Sequence, residues 1–173
     1  NSVDSTNDYL IFMPPCDSLS NLKPNFKLET VDSISSNSFW DDIKVPNILK
    51  DSDIELYHVP QNGVGLSDNI SCKKVITLHD IIPLRMPETV SDRYLRIFNN
   101  ELPKILDNCN GIITVSEFSK NDIAKEFNFP LDNIYVTPLA AEDIYKPLSK
   151  SQSKELVTRK YGIEEDFVLY VGG

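Results

Sequence analysis

Short apolar runs alternate with more polar stretches along this chain. Six runs rich in Val, Ile, Tyr and Phe have the length and composition of buried strands. They lie at Tyr9 to Met13, Ile54 to Val59, Lys74 to Leu78, Gly111 to Val115, Ile134 to Thr137 and Phe167 to Gly172. Because strands that alternate with helices are typical of a parallel sheet, the pattern predicts an α/β fold with a Rossmann-like, doubly wound parallel sheet.

The first predicted helix begins after Ser91, a good N-cap residue that is followed by Asp92 in the first turn. Pro103 lacks a backbone donor and crowds the preceding turn, so it predicts a kink or a break near Leu102. One apolar stripe runs along this helix and consists of Tyr94, Ile97, Phe98, Leu102, Ile105 and Leu106.

Two further helices are predicted downstream. One begins around Ser116 or Ser119, buries Ile123 and Phe127, and ends before Pro130. The other runs from Ser153 to Tyr161, with Gly162 as a left-handed stop. Its expected apolar contacts are Leu156, Val157 and Tyr161.

Composition is that of a water-soluble globular domain. The chain has 173 residues, of which 40% are hydrophobic and 25% are charged, enough to bury one continuous core. The formal net charge is −9, which opposes nonspecific binding to nucleic acid. No apolar run approaches the roughly 20 residues of a membrane span, and the start shows no export signal.

The cysteines and histidines bear on the location of the protein and on metal binding. Cys16, Cys72 and Cys109 are odd in number and form no CxxC pair, which predicts free thiols and a cytoplasmic location. The chain has two histidines, and no third ligand stands at metal spacing. We therefore expect no metal site.

In a doubly wound sheet, ligands bind beyond the carboxyl ends of the strands. His79 and Asp80 directly follow a predicted strand, so an imidazole and a carboxylate are expected at that edge, where they can bind and orient a substrate. The structural alternative is that His79 bonds a backbone carbonyl and Asp80 caps the following turn. The residue pattern leaves both interpretations open.

Two other strand ends carry candidate substrate-binding residues. His58 lies at the end of the second predicted strand, and Asn62, Gly63 and Gly65 follow it. Glycine there permits a backbone approach to a sugar or a phosphate; a plain turn is the alternative. Ser116, Glu117 and Ser119 follow the fourth strand at a helix start. Free amides there favour anions or hydroxyl groups, and helix capping is the alternative.

The residues at these junctions resemble one known family, the family 4 retaining glycosyltransferases, over residues 57–173. The resemblance rests on four motifs in order, whereas the first fifty residues match poorly. The motifs are Val75-Ile76-Thr77-Leu78-His79-Asp80-Ile81-Ile82-Pro83-Leu84-Arg85, Gly111-Ile112-Ile113-Thr114-Val115-Ser116-Glu117-Phe118-Ser119-Lys120, Val136-Thr137-Pro138-Leu139-Ala140 and Val168-Leu169-Tyr170-Val171-Gly172-Gly173.

That resemblance implies the N-terminal, acceptor-side half of a GT-B architecture, in which two Rossmann-like domains face a cleft. It implies transfer of a sugar from a nucleotide sugar to a carbohydrate or lipid-linked acceptor, with no resident cofactor and no metal. His79 and Asp80 would lie in the catalytic cleft, and Ser116 and Glu117 would line it. Gly172 and Gly173 would begin the donor-phosphate loop of the other domain.

The resemblance also divides the chain, with residues 1–166 as the acceptor-side domain and 167–173 as the start of a donor domain. On this interpretation both ends are cuts, and the fragment is inactive alone and prone to self-association. Membrane-surface association of the parent enzyme stays open. The alternatives are a noncatalytic Rossmann-like module that binds carbohydrate or protein, and a flavodoxin-like module, which is disfavoured because the expected acidic cluster is missing.

Overall fold

The computed structural model describes residues 4–13, 22–30, 45–50, 52–142 and 144–171. It divides into two compact units at the boundary between Pro138 and Leu139. The predicted division into 1–166 and 167–173 stays a prediction.

A four-stranded parallel sheet forms the centre of the first unit. Its strands are β3 (Leu56–Val59), β4 (Lys73–Thr77), β5 (Gly111–Thr114) and β6 (Ile134–Val136), and they lie side by side in the order of the sequence. Two further strands form a separate parallel pair, β1 (Tyr9–Met13) and β2 (Phe26–Thr30). Five of the six predicted strands are therefore confirmed, whereas β2 was not predicted.

Among the described residues, four α-helices accompany these strands in the first unit. They are α1 (Val45–Leu49), α2 (Ile82–Arg85), α3 (Asp92–Asn108) and α4 (Glu117–Phe127), with 3-10 turns at Pro87–Thr89 and Leu131–Asn133. The chain thus has an α/β fold with Rossmann-like parallel sheets, as the sequence predicts.

The core of the first unit lies between the four-stranded sheet and helices α3 and α4. Ile76 and Ile112 on adjacent strands are fully buried, and so is Ile123 of α4. Within the predicted stripe of α3, Phe98, Leu102, Ile105 and Leu106 are buried, while Tyr94 and Ile97 remain exposed. A smaller cluster around Leu49 and Ile70 packs against Phe12 of β1.

Helix α3 contradicts a break near Leu102, one of the two outcomes predicted from Pro103, and a kink there stays a prediction. The helix runs without interruption through Pro103 to Asn108. Proline removes the hydrogen bond to the carbonyl four residues earlier, at Asn99, but Asn99 and Pro103 are both exposed, so water can satisfy that carbonyl. Burial of Leu102 and Ile105 on the opposite face holds the helix together.

The second unit contains helix α5 (Lys150–Tyr161). Ser149 and Gln152 form a capping box at its start, and Gly162 ends it in the left-handed conformation with φ of 70°. The predicted stop is therefore confirmed, although the helix begins three residues earlier than predicted. Of the three residues expected to make its apolar contacts, Val157 is half-buried, whereas Leu156 and Tyr161 are exposed.

The last predicted strand is also corrected. Residues 167–171 have no strand structure, and Val168 is 98% exposed. A strand needs a neighbour to pair its backbone groups, and none of the described residues pairs with this run. Gly172 lies outside the described residues.

Candidate functional site

The four strands of the central sheet are parallel, so their carboxyl ends lie along one edge. His79 and Asp80 follow β4 at this edge, beside the residues that follow β5. The same edge carries the loop after β3, which contains Asn62 and Gly63.

The backbone of His79 is held from both sides. Its N–H donates to Asn62 Oδ1 at 3.4 Å, and its carbonyl accepts the hydroxyl of buried Thr114 at 3.2 Å. The preceding residue, Leu78, donates its N–H to the carbonyl of Ile113 at 2.9 Å, which continues the ladder between β4 and β5. A fixed backbone therefore carries an exposed imidazole, for which the described residues provide no hydrogen-bond partner.

Asp80 caps the turn that follows it, which is the structural alternative given by the sequence. Its Oδ1 accepts the N–H of Ile82 at 2.9 Å, at the first residue of helix α2. The carboxylate thus shapes the turn between β4 and α2. A role in catalysis stays a prediction.

The loop after β3 combines two turns with two glycines in the left-handed region, Gly63 at φ of 72° and Gly65 at φ of 92°. Gly63 is buried, and a Cβ added to it would lie 2.5 Å from Cγ2 of Ile105 and 2.9 Å from Cγ2 of Ile76. This glycine is therefore required where the loop passes between β4 and α3. Asn62 donates from Nδ2 to the hydroxyl of Tyr94 at 3.0 Å.

His58 lies on β3, and its Nε2 is 2.8 Å from the hydroxyl of Thr77 at the end of β4. Although His58 is exposed, the surrounding protein removes part of the hydration of its ring, and this desolvation lowers its pKa. The neutral imidazole is thus favoured, and it joins the ends of two adjacent strands.

Ser116 and Ser119 also follow the structural alternative. Ser116 is the N-cap of α4, where its Oγ accepts the N–H of Ser119 at 3.0 Å and donates to the Ser119 hydroxyl, also at 3.0 Å. Glu117 is exposed in the first helical turn, beside Phe118, whose side chain is 80% exposed. Both side chains are open to a ligand at this edge.

Arg85 ends the first of the four family motifs, but the sequence predicts no role for it. The Arg85 guanidinium lies 2.7 Å from Asp122 Oδ1 and 2.8 Å from Glu126 Oε2, so it joins α2 to α4. These carboxylates raise its pKa above the ordinary value. The signal available in the sequence was the i, i+4 spacing of Asp122 and Glu126, which places two acidic groups on one helical face.

The structure brings His58, Asn62 and His79 together around the end of β4. The ring of His58 bonds the Thr77 side chain, and the N–H of Asn62 donates to the Thr77 carbonyl at 2.9 Å. Thr114 connects this group to the segment that contains Ser116, Glu117 and Ser119. Gly172 and Gly173 lie outside the described residues.

The described residues contain no group of three or more His, Cys, Asp or Glu side chains arranged to hold a metal ion. Among them, no helix has both the length and the apolar character that crossing a membrane requires.

Comparison with known proteins identifies the family to which this chain belongs. The family model for Glycosyltransferase Family 4 matches residues 24–141, which is more than half of the chain. An O-antigen chain mannosyltransferase B from Escherichia coli is 32% identical over 124 residues, covering 72% of this chain but 32% of that protein. The chain thus spans about a third of the length of this relative. The sequence match and the parallel α/β fold together show that this chain belongs to Glycosyltransferase Family 4 and has the Rossmann-like fold of one half of a GT-B enzyme.

Proposed function

We propose that this chain is the acceptor-side half of a retaining glycosyltransferase that moves a sugar from a nucleotide sugar to a saccharide or another acceptor. The observation that carries the proposal is His79, an exposed imidazole on a backbone fixed between Asn62 and Thr114 at the carboxyl edge of a parallel sheet. Preorganised polar groups of this kind stabilise charge that develops during a reaction. Family membership supports glycosyl transfer as that reaction.

His79 acts in this proposal by orientation and not by covalent attack. In a front-face mechanism the leaving diphosphate takes the acceptor proton, so no protein nucleophile is needed for retention. The imidazole donates or accepts one hydrogen bond to the sugar being transferred, and fixed backbone contacts limit its movement. Glu117, exposed at the neighbouring strand end, offers a carboxylate to acceptor hydroxyl groups.

The relative suggests the first substrates to test. It is an O-antigen chain mannosyltransferase by name. We propose a hexosyl donor, with nucleotide-linked mannose as the first candidate, and a polysaccharide acceptor on a carbohydrate or lipid carrier. The reaction takes place in the cytoplasm, and the site requires no metal.

We propose further that a polypeptide of these 173 residues alone does not transfer sugar. The matched segment accounts for 32% of the relative, and Arg85, a cation five residues after Asp80, is engaged by Asp122 and Glu126. Binding groups for a diphosphate are therefore expected in another part of the protein.

The test is His79→Ala in the natural protein that contains this sequence. Loss of an oriented polar contact is expected to lower kcat by about tenfold or more. Lys104→Ala is a matched control, because Lys104 is 69% exposed on α3 and pairs with Glu101, three residues earlier. Thermal unfolding of both variants should coincide with that of the unchanged protein.

Two results would contradict the proposal. Unchanged kinetics of His79→Ala would remove His79 from the site, and binding of carbohydrate without turnover of any nucleotide sugar would favour a noncatalytic binding module. The anomeric configuration of the product, read by NMR, separates retention from inversion. Robust turnover by the 173-residue polypeptide would refute its proposed inactivity.

A further inference from the structure

Asn62 lies in the loop between β3 and β4 and is tied to the protein through its backbone and its side chain. Its φ of 51° is in the left-handed region, which asparagine tolerates better than most residues. Its N–H donates to the carbonyl of Thr77, the last residue of β4, at 2.9 Å. The side chain therefore starts from a fixed position beside the strand end that precedes His79.

The side-chain amide of Asn62 makes one contact at each end. Oδ1 accepts the N–H of His79 at 3.4 Å, and Nδ2 donates to the hydroxyl of Tyr94 at 3.0 Å. A bond of 3.4 Å is weak by itself, and a freely rotating amide would not maintain it. The contact with Tyr94 opposes small rotations of the amide, and a full turn would place Nδ2 against the His79 N–H, where two donors cannot bond.

Tyr94 is itself anchored in the first turn of α3. Its N–H donates to the Oγ of the N-cap residue Ser91 at 3.3 Å, and its ring centroid lies 6.0 Å from that of Phe98. Phe98 is buried in the main core. The hydroxyl of Tyr94 is thus held by a helix that packs in the core.

We infer that Tyr94 and Asn62 form a hydrogen-bonded relay that positions His79, and that neither acts mainly by contacting substrate. Thr114 fixes the carbonyl side of His79, and this relay fixes the N–H side. The inference revises the expectation that Asn62 binds substrate, and its kinetic consequence rests on the proposed function of His79. Tyr94 and Asn62 are positioning residues in this arrangement.

The relay is tested with Tyr94→Phe and Asn62→Gly in the complete protein. Tyr94→Phe removes only the hydroxyl, and Asn62→Gly removes the amide while permitting the left-handed backbone. Tyr135→Phe is the control, because it removes the hydroxyl of an exposed tyrosine on β6. Two quantities are measured, the hydrogen exchange of the peptide that contains the His79 amide and the steady-state kinetics.

Both relay variants are expected to exchange the His79 amide about fivefold faster, the scale of one lost hydrogen bond. They are expected to lower kcat by a similar factor while KM for donor and acceptor stays within about twofold. The double variant should show little more effect than either single variant, because the two residues act in one chain. Tyr135→Phe should change neither quantity.

Unchanged exchange at His79 in Tyr94→Phe would overturn the relay, whatever the kinetics. A raised KM with unchanged kcat in Asn62→Gly would also overturn it, since that result assigns Asn62 to substrate binding. If His79→Ala retains full turnover, the proposed role of His79 fails separately. Faster exchange in both relay variants would then still support the relay as a structural device.

Discussion

Replacing Gly63 with alanine adds one methyl group where the structure has no room for it. The new Cβ would lie 2.5 Å from Cγ2 of Ile105 and 2.9 Å from Cγ2 of Ile76. Both isoleucines belong to the main core, so neither side chain can move into solvent. The backbone at Gly63 also has φ of 72°, which disfavours residues with a Cβ.

Two terms set the magnitude of the expected loss. A left-handed conformation costs an alanine about 1–2 kcal/mol relative to its preferred regions. An extra methyl in a packed core costs about 1–3 kcal/mol. Gly63→Ala should therefore lower the free energy of unfolding by about 2–5 kcal/mol.

Gly162→Ala separates the two terms. Gly162 has a nearly equal φ of 70°, but a Cβ there would meet nothing within 4 Å. The control variant therefore has only the cost of the left-handed conformation, which is about 1–2 kcal/mol of the free energy of unfolding of the segment that Gly162 caps. Ile105→Leu in the Gly63→Ala background should recover part of the loss, because leucine carries no Cγ2 methyl at that branch point.

The assay is urea unfolding followed by circular dichroism, with the two glycine variants compared at equal m-values. The reasoning is refuted if Gly63→Ala costs no more than Gly162→Ala, or if Ile105→Leu gives no recovery. Either result would mean that the loop after β3 can move away from α3 without loss of packing.

Two predictions concern titration. Desolvation lowers the pKa of His58 in the folded state, so the unfolded state takes up a proton more readily. The stability that the neutral imidazole contributes is therefore lost as pH falls through about 6.5, the ordinary pKa of histidine. Urea titrations at pH 7.5 and 5.5 should show a smaller loss for His58→Gln, and an identical loss would contradict the assignment. Burial raises the pKa of the Cys109 thiol to about 11, from an ordinary value of 9.0. Because only the thiolate reacts with iodoacetamide, Cys109 at pH 8 should react about a hundredfold more slowly in the folded protein than in urea. Peptide mapping reads the rate for Cys109 alone, and equal rates in folded and unfolded protein would count against its burial.

Local signals in the sequence predict much of the first unit. Strands β3 to β6 are apolar runs, and α3 and α4 begin after Ser91 and Ser116, whose side chains cap them. Strand β2 could not be predicted in the same way, because Phe26–Thr30 is half exposed and lacks a continuous apolar run. It is defined by its partner, and Tyr9 and Phe26 stack at 4.4 Å across the pair.

The candidate site could be predicted from the sequence less completely than the fold. Position predicts that His79 and Asp80 lie at the sheet edge, but it does not decide whether a polar side chain is left for a ligand or engaged by its own protein. Asp80 is engaged by the N–H of Ile82 only two residues later, whereas the contacts that fix the backbone of His79 come from Asn62 and Thr114, which are distant in the sequence. The need for glycine at position 63 also comes from a distant residue, Ile105, more than forty residues later in the sequence.

The order of the four-stranded sheet has a consequence for how the protein is made. Strands β3, β4, β5 and β6 are neighbours in space and consecutive in the chain. During synthesis each new strand can therefore add to the edge formed by its predecessor, and no strand has to insert between two that are already paired. The sheet can grow in the direction of translation, with β6 as its last edge.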